Sequence, residues 1–359
     1  MTDLLRVSHV VRNFGRVGGM ESYVYELSKA LVARGVDVHI LCESVHEELP
    51  GVTMHRILPP GFLRPRWRAM MFFRDQVERY IRTHGGDSFG IIHSHERTLN
   101  HQVTTFHGPP MNMGFQSRLP RWLAPRVWAW ADLERDELLG AQVGAVIPVS
   151  QLIGDLLIAR YPQAVSRLTI VGWPAPQAKS LDPNAGRVHR ESIMCVGFVG
   201  REWKRKGLVR AYKICQRLSK LGHNVTLLVV GAHRLPSSMV RDPMVEIIDW
   251  CNDVPYRRMD VLLHPASIEP YGMVIAEARA ASVPVVCSDS TGAKDHGFSG
   301  LSTVSVDAPL SAWCEAVLEQ VRYGSGSEVL QTWSRLAESM IESVYLPIWK
   351  KDLSDACAD

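Results

Sequence analysis

Short runs of β-branched and apolar residues alternate with longer amphipathic stretches along the whole chain, and they do so in two series. The first series comprises Leu5–Val11, Val38–Cys42, Gly90–His95, Val103–His107 and Ala145–Val149, with Leu168–Val171 expected to close the set. The second comprises Ile193–Val199, Val225–Val230, Val245–Ile248, Asp260–His264, Pro284–Ser288 and Ser302–Val306. Helical periodicity fills the gaps, as in Glu21–Arg34 and Arg68–Thr83. Strands that alternate with helices need crossover connections, and these build parallel sheets covered on both faces. The pattern therefore predicts an α/β chain of two doubly wound domains.

The boundaries follow from composition. Residues 1–172 form the first domain, and the Pro-, Gly- and Ala-rich stretch 173–190 lacks either periodicity and reads as a linker. Residues 191–335 form the second domain. Residues 336–359 continue a helical pattern that begins near Glu328 and contains Pro347, which predicts a kink near Tyr345–Leu346 and a path back to the first domain.

Bulk properties exclude several classes. With 46% hydrophobic and 21% charged residues the chain is an ordinary globular one. A net charge of +3 is too small to imply a nucleic-acid partner. The seven cysteines are scattered, without a C-x-x-C pair, and read as reduced thiols. The first residues lack a secretory pattern, and no run of about 18 apolar residues could span a bilayer. These features predict a cytoplasmic protein.

In doubly wound sheets ligands bind at the carboxyl ends of the strands, so residues placed there are the candidate site groups. Gly18 and Gly19 lie between the first strand and the first helix, where close backbone approach and a helix N-terminus suit an anion; a plain tight turn is an equal reading of the pair. His107 ends a strand before Gly108-Pro109, a position from which an imidazole can hydrogen-bond a substrate hydroxyl or share a proton. His93, His95 and His101 lie nearby but show no metal-ligand spacing, and read as core or capping groups. Gly200 ends a strand and opens the basic loop Arg201–Gly207, whose Arg201 and Lys206 are expected to meet above the strand ends, where a diphosphate needs fixed positive charge.

The most specific pattern runs from Asp260 to Ser288: a buried strand, a loop carrying Glu269, a helix starting near Tyr271-Gly272, Glu277 on that helix, and a Pro-Val-Val strand. Glu277 falls among apolar residues, where a carboxylate needs a partner, and a ligand hydroxyl is the expected one.

With these residues in order, the chain resembles glycosyltransferase family 4, the retaining nucleotide-sugar transferases of the GT-B fold: two Rossmann-like domains facing a central cleft. The resemblance implies that Glu277 holds the donor ribose and that Glu269 contacts the transferred sugar. It implies that Arg201 and Lys206 grip the diphosphate, and that backbone around Gly18, Gly19, Tyr271, Gly272, Met273 and Val274 completes the donor site. His107 would contact the donor sugar near its reacting face, making His107 and Glu269 the catalytic pair. The basic loop is one residue shorter than in many members, which leaves Arg205 and Lys206 both open as the phosphate cation. Thr291-Gly292-Ala293 stands where members often carry Gly-Gly.

No D-x-D motif is present. The expected chemistry uses no cofactor and no metal: a UDP- or GDP-sugar is the co-substrate, and fixed cations with helix N-termini neutralise the leaving diphosphate. The acceptor is expected to be a cell-envelope glycolipid or polysaccharide precursor such as lipopolysaccharide core. Arg64–Arg82 and Arg118–Trp130 mix arginine with Trp, Met and Phe, a composition that suits an anionic membrane surface on the inner face of the cytoplasmic membrane, and an amphipathic helix equally. The rival readings are a GT-B nucleotide-sugar epimerase and a non-catalytic sugar-nucleotide-binding partner.

Overall fold

The computed structural model describes residues 4–58, 65–111, 120, 123–176, 193–251, 253–324 and 332–356, with backbone alone at Asp87 and 352–356. Arg64, Arg118, Arg121, Trp122 and most of the linker lie outside the described residues. The chain forms two compact units, Met1–Pro174 with Thr332–Asp359, and Ala175–Gln331.

The first unit carries a six-stranded sheet, parallel throughout. Its strands are β1 (Arg6–Val10), β3 (Asp37–Cys42), β5 (Val52–Arg56), β6 (Ile91–Ser94), β7 (Val103–Phe106) and β8 (Ala145–Pro148), in the order β5-β3-β1-β6-β7-β8. Val7 pairs with Val38 on one side and Ile91 on the other, which puts β1 at the centre of the sheet. Helices α1 (Gly19–Val32), α2 (Arg66–Thr83), α3 (Pro125–Leu139) and α4 (Gln151–Arg160) connect the strands, and two-residue strands β2 (Asn13–Phe14) and β4 (Ser44–Val45) pair beside the sheet. Leu168 forms only an isolated bridge to Val146, so the expected closing strand is replaced by the edge strand β5 on the opposite side. β5 is half exposed, and its Val-Thr-Met-His-Arg alternation lacks the apolar run of a central strand.

The last segment packs on this unit as α9 (Trp333–Met340), a π-helical turn Ile341–Tyr345, and α10 (Leu346–Ala356). The π turn stands where a kink was expected. Widening the helix just before Pro347 relieves the clash of its ring with the preceding turn without ending the helix. Leu336, Ala337, Met340, Val344 and Tyr345 are buried in one cluster with Val7, Leu27, Leu31 and Val38.

The second unit repeats the plan with β9 (Met194–Val199), β10 (Val225–Val230), β11 (Val245–Ile248), β12 (Val261–His264), β13 (Val285–Ser288) and β14 (Leu301–Val304), in the order β11-β10-β9-β12-β13-β14. Helices α5 (Leu208–Lys220), α6 (Ser237–Val240), α7 (Met273–Ala280) and α8 (Leu310–Tyr323) connect them. Written by order of appearance, both sheets read 3-2-1-4-5-6. The strand order reverses between β1 and β6 in one unit and between β9 and β12 in the other, which is where such sheets open a crevice.

Candidate functional site

In the second unit the loops after β9 and β12 meet at the reversal point. Gly207 (φ +83°) caps α5 in the left-handed region, and a Cβ there would run into the Pro265 carbonyl. Gly200 (φ +149°) leaves the space where the Lys206 stem lies, so the lysine side chain is held by packing and is only 15% exposed. Its Nζ stands 3.6 Å from Glu269 Oε2. Arg205 bonds the Ile268 carbonyl (2.6 Å), Glu202 (2.6 Å) and Glu269 (3.2 Å). Both loop cations therefore reach the glutamate. Arg201 stacks its guanidinium 4.4 Å over the Trp250 ring, and the loop cations that converge on Glu269 are Arg205 and Lys206.

Glu269 is buried. Burial alone would raise its pKa, but Lys206, the His264 hydrogen bond (3.3 Å) and Arg205 outweigh it and hold the carboxyl well below the usual range. Burial lowers the His264 pKa against the opposing pull of Glu269. The glutamate loop is also laced to the loop after β13. Glu269 N–H bonds the Ser290 carbonyl, Gly292 N–H bonds the Glu269 carbonyl, and Ala293 N–H bonds the Tyr271 carbonyl. The Gly292 and Ala293 amides are spent on this bracing.

Gly272 (φ +98°, ψ 63°) is the left-handed cap from which α7 starts at Met273, one residue later than the expected start. The first-turn amides of a helix have no intrahelical acceptor, and here they belong to Met273 and Val274. Tyr271 is buried, with its hydroxyl 2.9 Å from His296 Nδ1. Glu277 receives the Tyr256 hydroxyl at 2.6 Å. The protein thus supplies one partner itself beside the ligand hydroxyl expected there, while burial raises the carboxyl.

In the first unit Gly18 is the extended N-cap of α1, and Glu21, three residues on, lies against its Cα. The preceding turn is pinned by Arg16, which pairs with Glu26 (2.7 Å) and Glu47 and lies 4.2 Å over Tyr25. His107 is one residue past β7. Burial pushes it down to about 3, so the ring is neutral at ordinary pH and can serve in hydrogen bonding rather than as a charged acid. Its Nε2 is 3.0 Å from His95 Nδ1, and His95 Nε2 is 3.0 Å from His9 Nδ1.

His9, His93 and His95 place ring nitrogens within 4.8 Å of one another, a spacing a metal could use. Five of their six ring nitrogens are already hydrogen-bonded: His93 to Tyr345 and Thr105, His95 to His9 and His107, and His9 through Nδ1. His101 is separate, bonded to Thr98, Leu99 and Glu137. These partners favour a hydrogen-bonded array over a coordination sphere.

The segment after His107 is held by α3. Buried Glu134 accepts the Met111 amide (2.9 Å), the Tyr161 hydroxyl (2.8 Å) and Arg97 (3.3 Å). Glu137 accepts Thr104 at 3.0 Å, and burial pushes it up to about 8. In α2, Met70, Phe73, Val77 and Ile81 belong to a core cluster, and Arg74 pairs with Asp75 and Asp136. Part of the apolar content that suggested a membrane face is therefore interior. Arg66, Arg68, Arg79 and Arg82 remain exposed, as do Leu123 and Arg126 before and within α3. Among the described residues no helix is long and apolar enough to cross a membrane.

Sequence comparison matches residues 17–172 to the Glycosyltransferase Family 4 model and residues 193–322 to the Glycosyl transferases group 1 model. The capsular polysaccharide biosynthesis glycosyltransferase CapM of Staphylococcus aureus is 36% identical over 177 residues, covering 43% of this chain and 46% of CapM, so less than half of that relative is matched. Among solved structures, WaaG, a glycosyltransferase involved in lipopolysaccharide biosynthesis, superposes with a TM-score of 0.75 at 17% identity, covering 96% of this chain and 98% of WaaG. Anabaena HepE in complex with UDP and glucose gives a TM-score of 0.60 at 13% identity, covering 99% and 100%. With both family models in series on two 3-2-1-4-5-6 sheets, the chain belongs to the family 4 type glycosyltransferases of GT-B fold.

Proposed function

We propose that the chain transfers a hexose-type sugar, with retention, from a nucleotide-diphosphate sugar to a cell-envelope glycolipid or polysaccharide precursor. The observation that carries this reading is the convergence of Lys206 and Arg205 on Glu269, beside the N-terminus of α7. A diphosphate brings negative charge that fixed cations and helix amides neutralise in place. Lys206, pinned beneath Gly200, and Arg201 over Trp250 supply the cations. The backbone at Gly18, Gly19, Tyr271, Gly272, Met273 and Val274 supplies neutral donors.

Glu269 accepts from hydroxyls of the transferred sugar, Glu277 from the ribose, and His107 hydrogen-bonds a sugar hydroxyl. HepE with UDP and glucose, and WaaG and CapM with their envelope polysaccharides, support the donor and acceptor classes. Exposed Arg66, Arg68, Arg79, Arg82 and Arg126 suit an anionic membrane surface carrying that acceptor.

Thermal-shift screening against UDP-, GDP- and ADP-sugars tests the donor assignment, because a ligand that binds only the folded chain raises its melting temperature. One of these donors is expected to stabilise the wild type and to lose its effect in Lys206→Ala; no shift with any of them would sink the donor reading. Incubation of the stabilising donor alone should leave it largely intact, whereas rapid isomerisation would identify an epimerase. Flotation with anionic liposomes at low salt should carry the protein upward, and retention in the soluble fraction would remove the membrane surface from the proposal.

A further inference from the structure

The row His9–His95–His107 has a property that its separate hydrogen bonds do not state. Each contact joins one ring nitrogen to another at 3.0 Å, so one nitrogen of each pair carries a hydrogen and the other a lone pair. Three neutral imidazoles in series then have only two self-consistent arrangements. In one, every ring is protonated on Nδ1: His9 donates to His95, His95 donates to His107, and His107 presents an Nδ1–H. In the other, every ring is protonated on Nε2, and the direction of donation is reversed.

The buried end decides between them. His9 is fully buried, and its Nε2 finds no partner among the described residues. The first arrangement leaves a lone pair there; the second leaves an N–H. A buried donor without an acceptor is the rarer and costlier orphan. His93 does not compete for the row, since both of its nitrogens are engaged by Tyr345 and Thr105. Tyr23 sets its ring edge-on against His107 at 5.1 Å and limits its rotation.

We propose that His95 and His9 are positioning residues for His107: they fix it as the tautomer protonated on Nδ1, so that it offers an N–H donor to an oxygen of the bound sugar. The inference rests on the reading that His107 meets the sugar. A free neutral histidine exchanges between tautomers, and the row removes that choice before substrate arrives. Nε2 of His107 is occupied by His95, so Nδ1 is the nitrogen that serves a ligand.

The test is the ring-nitrogen NMR spectrum of the full-length chain labelled with 15N-histidine, assigned with single substitutions. His107 is expected to show a protonated Nδ1 and a bare Nε2. His95→Phe should convert it to a tautomer mixture, whereas His95→Asn, whose side-chain amide can donate from the place of Nδ1, should restore the Nδ1–H form. With the donor found by thermal shift, His95→Phe should lower kcat about tenfold, the equivalent of one hydrogen bond, with KM for the donor little changed and with rescue in His95→Asn. His9→Leu, a second variant that spares His95, should shift the tautomer in the same direction.

A His107 protonated on Nε2 in the wild type would overturn the proposal. So would an unchanged His107 tautomer in folded His95→Phe and His9→Leu, or stoichiometric zinc on the purified protein by elemental analysis. The underlying reading fails separately: if His107→Ala transfers sugar at the wild-type rate, His107 does not meet the sugar, whatever the tautomer spectrum shows.

Discussion

Glu269 is buried, carries a hydrogen bond from His264, and faces two cations from a single loop. Its folded carboxyl titrates below the ordinary value of 4.5, so ionisation stabilises the fold. That contribution is fully present above pH 4.5 and is lost as the pH falls toward the depressed folded value. Glu269→Gln should therefore lose stability at neutral pH and show a shallower acid limb, measured by urea unfolding at pH 7 and pH 4. The same substitution should cost sugar transfer about a hundredfold or more if the carboxylate serves the reacting sugar. Gly207 makes a different demand on its residue type. A left-handed backbone costs an ordinary residue about 1–2 kcal/mol, and a Cβ would also strike the Pro265 carbonyl. Gly207→Ala is expected to lower the melting temperature by several degrees and to weaken donor binding by moving Lys206, which the thermal-shift panel would detect.

At the scale of elements, the sequence made the central strands and their order of appearance legible, because buried parallel strands are near-continuous apolar runs. Val225–Val230 and Val245–Ile248 end where expected. The edge strand β5 was not legible, since its residues alternate and stay half exposed. The site was legible where backbone geometry requires glycine or where carboxylates follow a strand. It was illegible where a partner comes from a distant strand: His9 and His95 are separated by 86 positions, and Tyr256 reaches Glu277 from another loop. The contact between α3 and β7 carries its own pH dependence. Glu137 is an ordinary carboxylate when unfolded (4.5) and is pushed up to about 8 when folded. Between these values the native chain keeps a proton that the unfolded chain releases, so stability falls as pH rises, by at most about 1.4 kcal/mol per pH unit. Glu137→Gln, which can still accept from Thr104, should flatten that slope between pH 5 and 8 in denaturant titrations.

At the scale of the molecule, the first unit is not contiguous in sequence. Its sheet is built from residues before 149, yet its core is completed by Leu336, Met340, Val344 and Tyr345, all at most 2% exposed. Burying side chains of this size contributes about 1.5–3 kcal/mol each, so the four together approach the whole stability of a typical domain, about 5–15 kcal/mol. Tyr345 also anchors His93 at 2.7 Å, and Arg34 of the first unit bonds Ser334 at 2.7 Å. The second unit has its own cluster, centred on Val196, Phe198, Leu227, Val261 and Trp313, and takes nothing from the final segment for it. A chain ending at Gln331 should therefore lose the first unit while keeping the second. Hydrogen exchange is the discriminating measurement, because it reports each sheet separately. Protection should disappear from β1, β3 and β6 and persist in β9, β10 and β12. Equal loss in both sheets would show that the second unit depends on the first for its stability, and full protection in β1 would show that the first unit's core closes without the C-terminal helices.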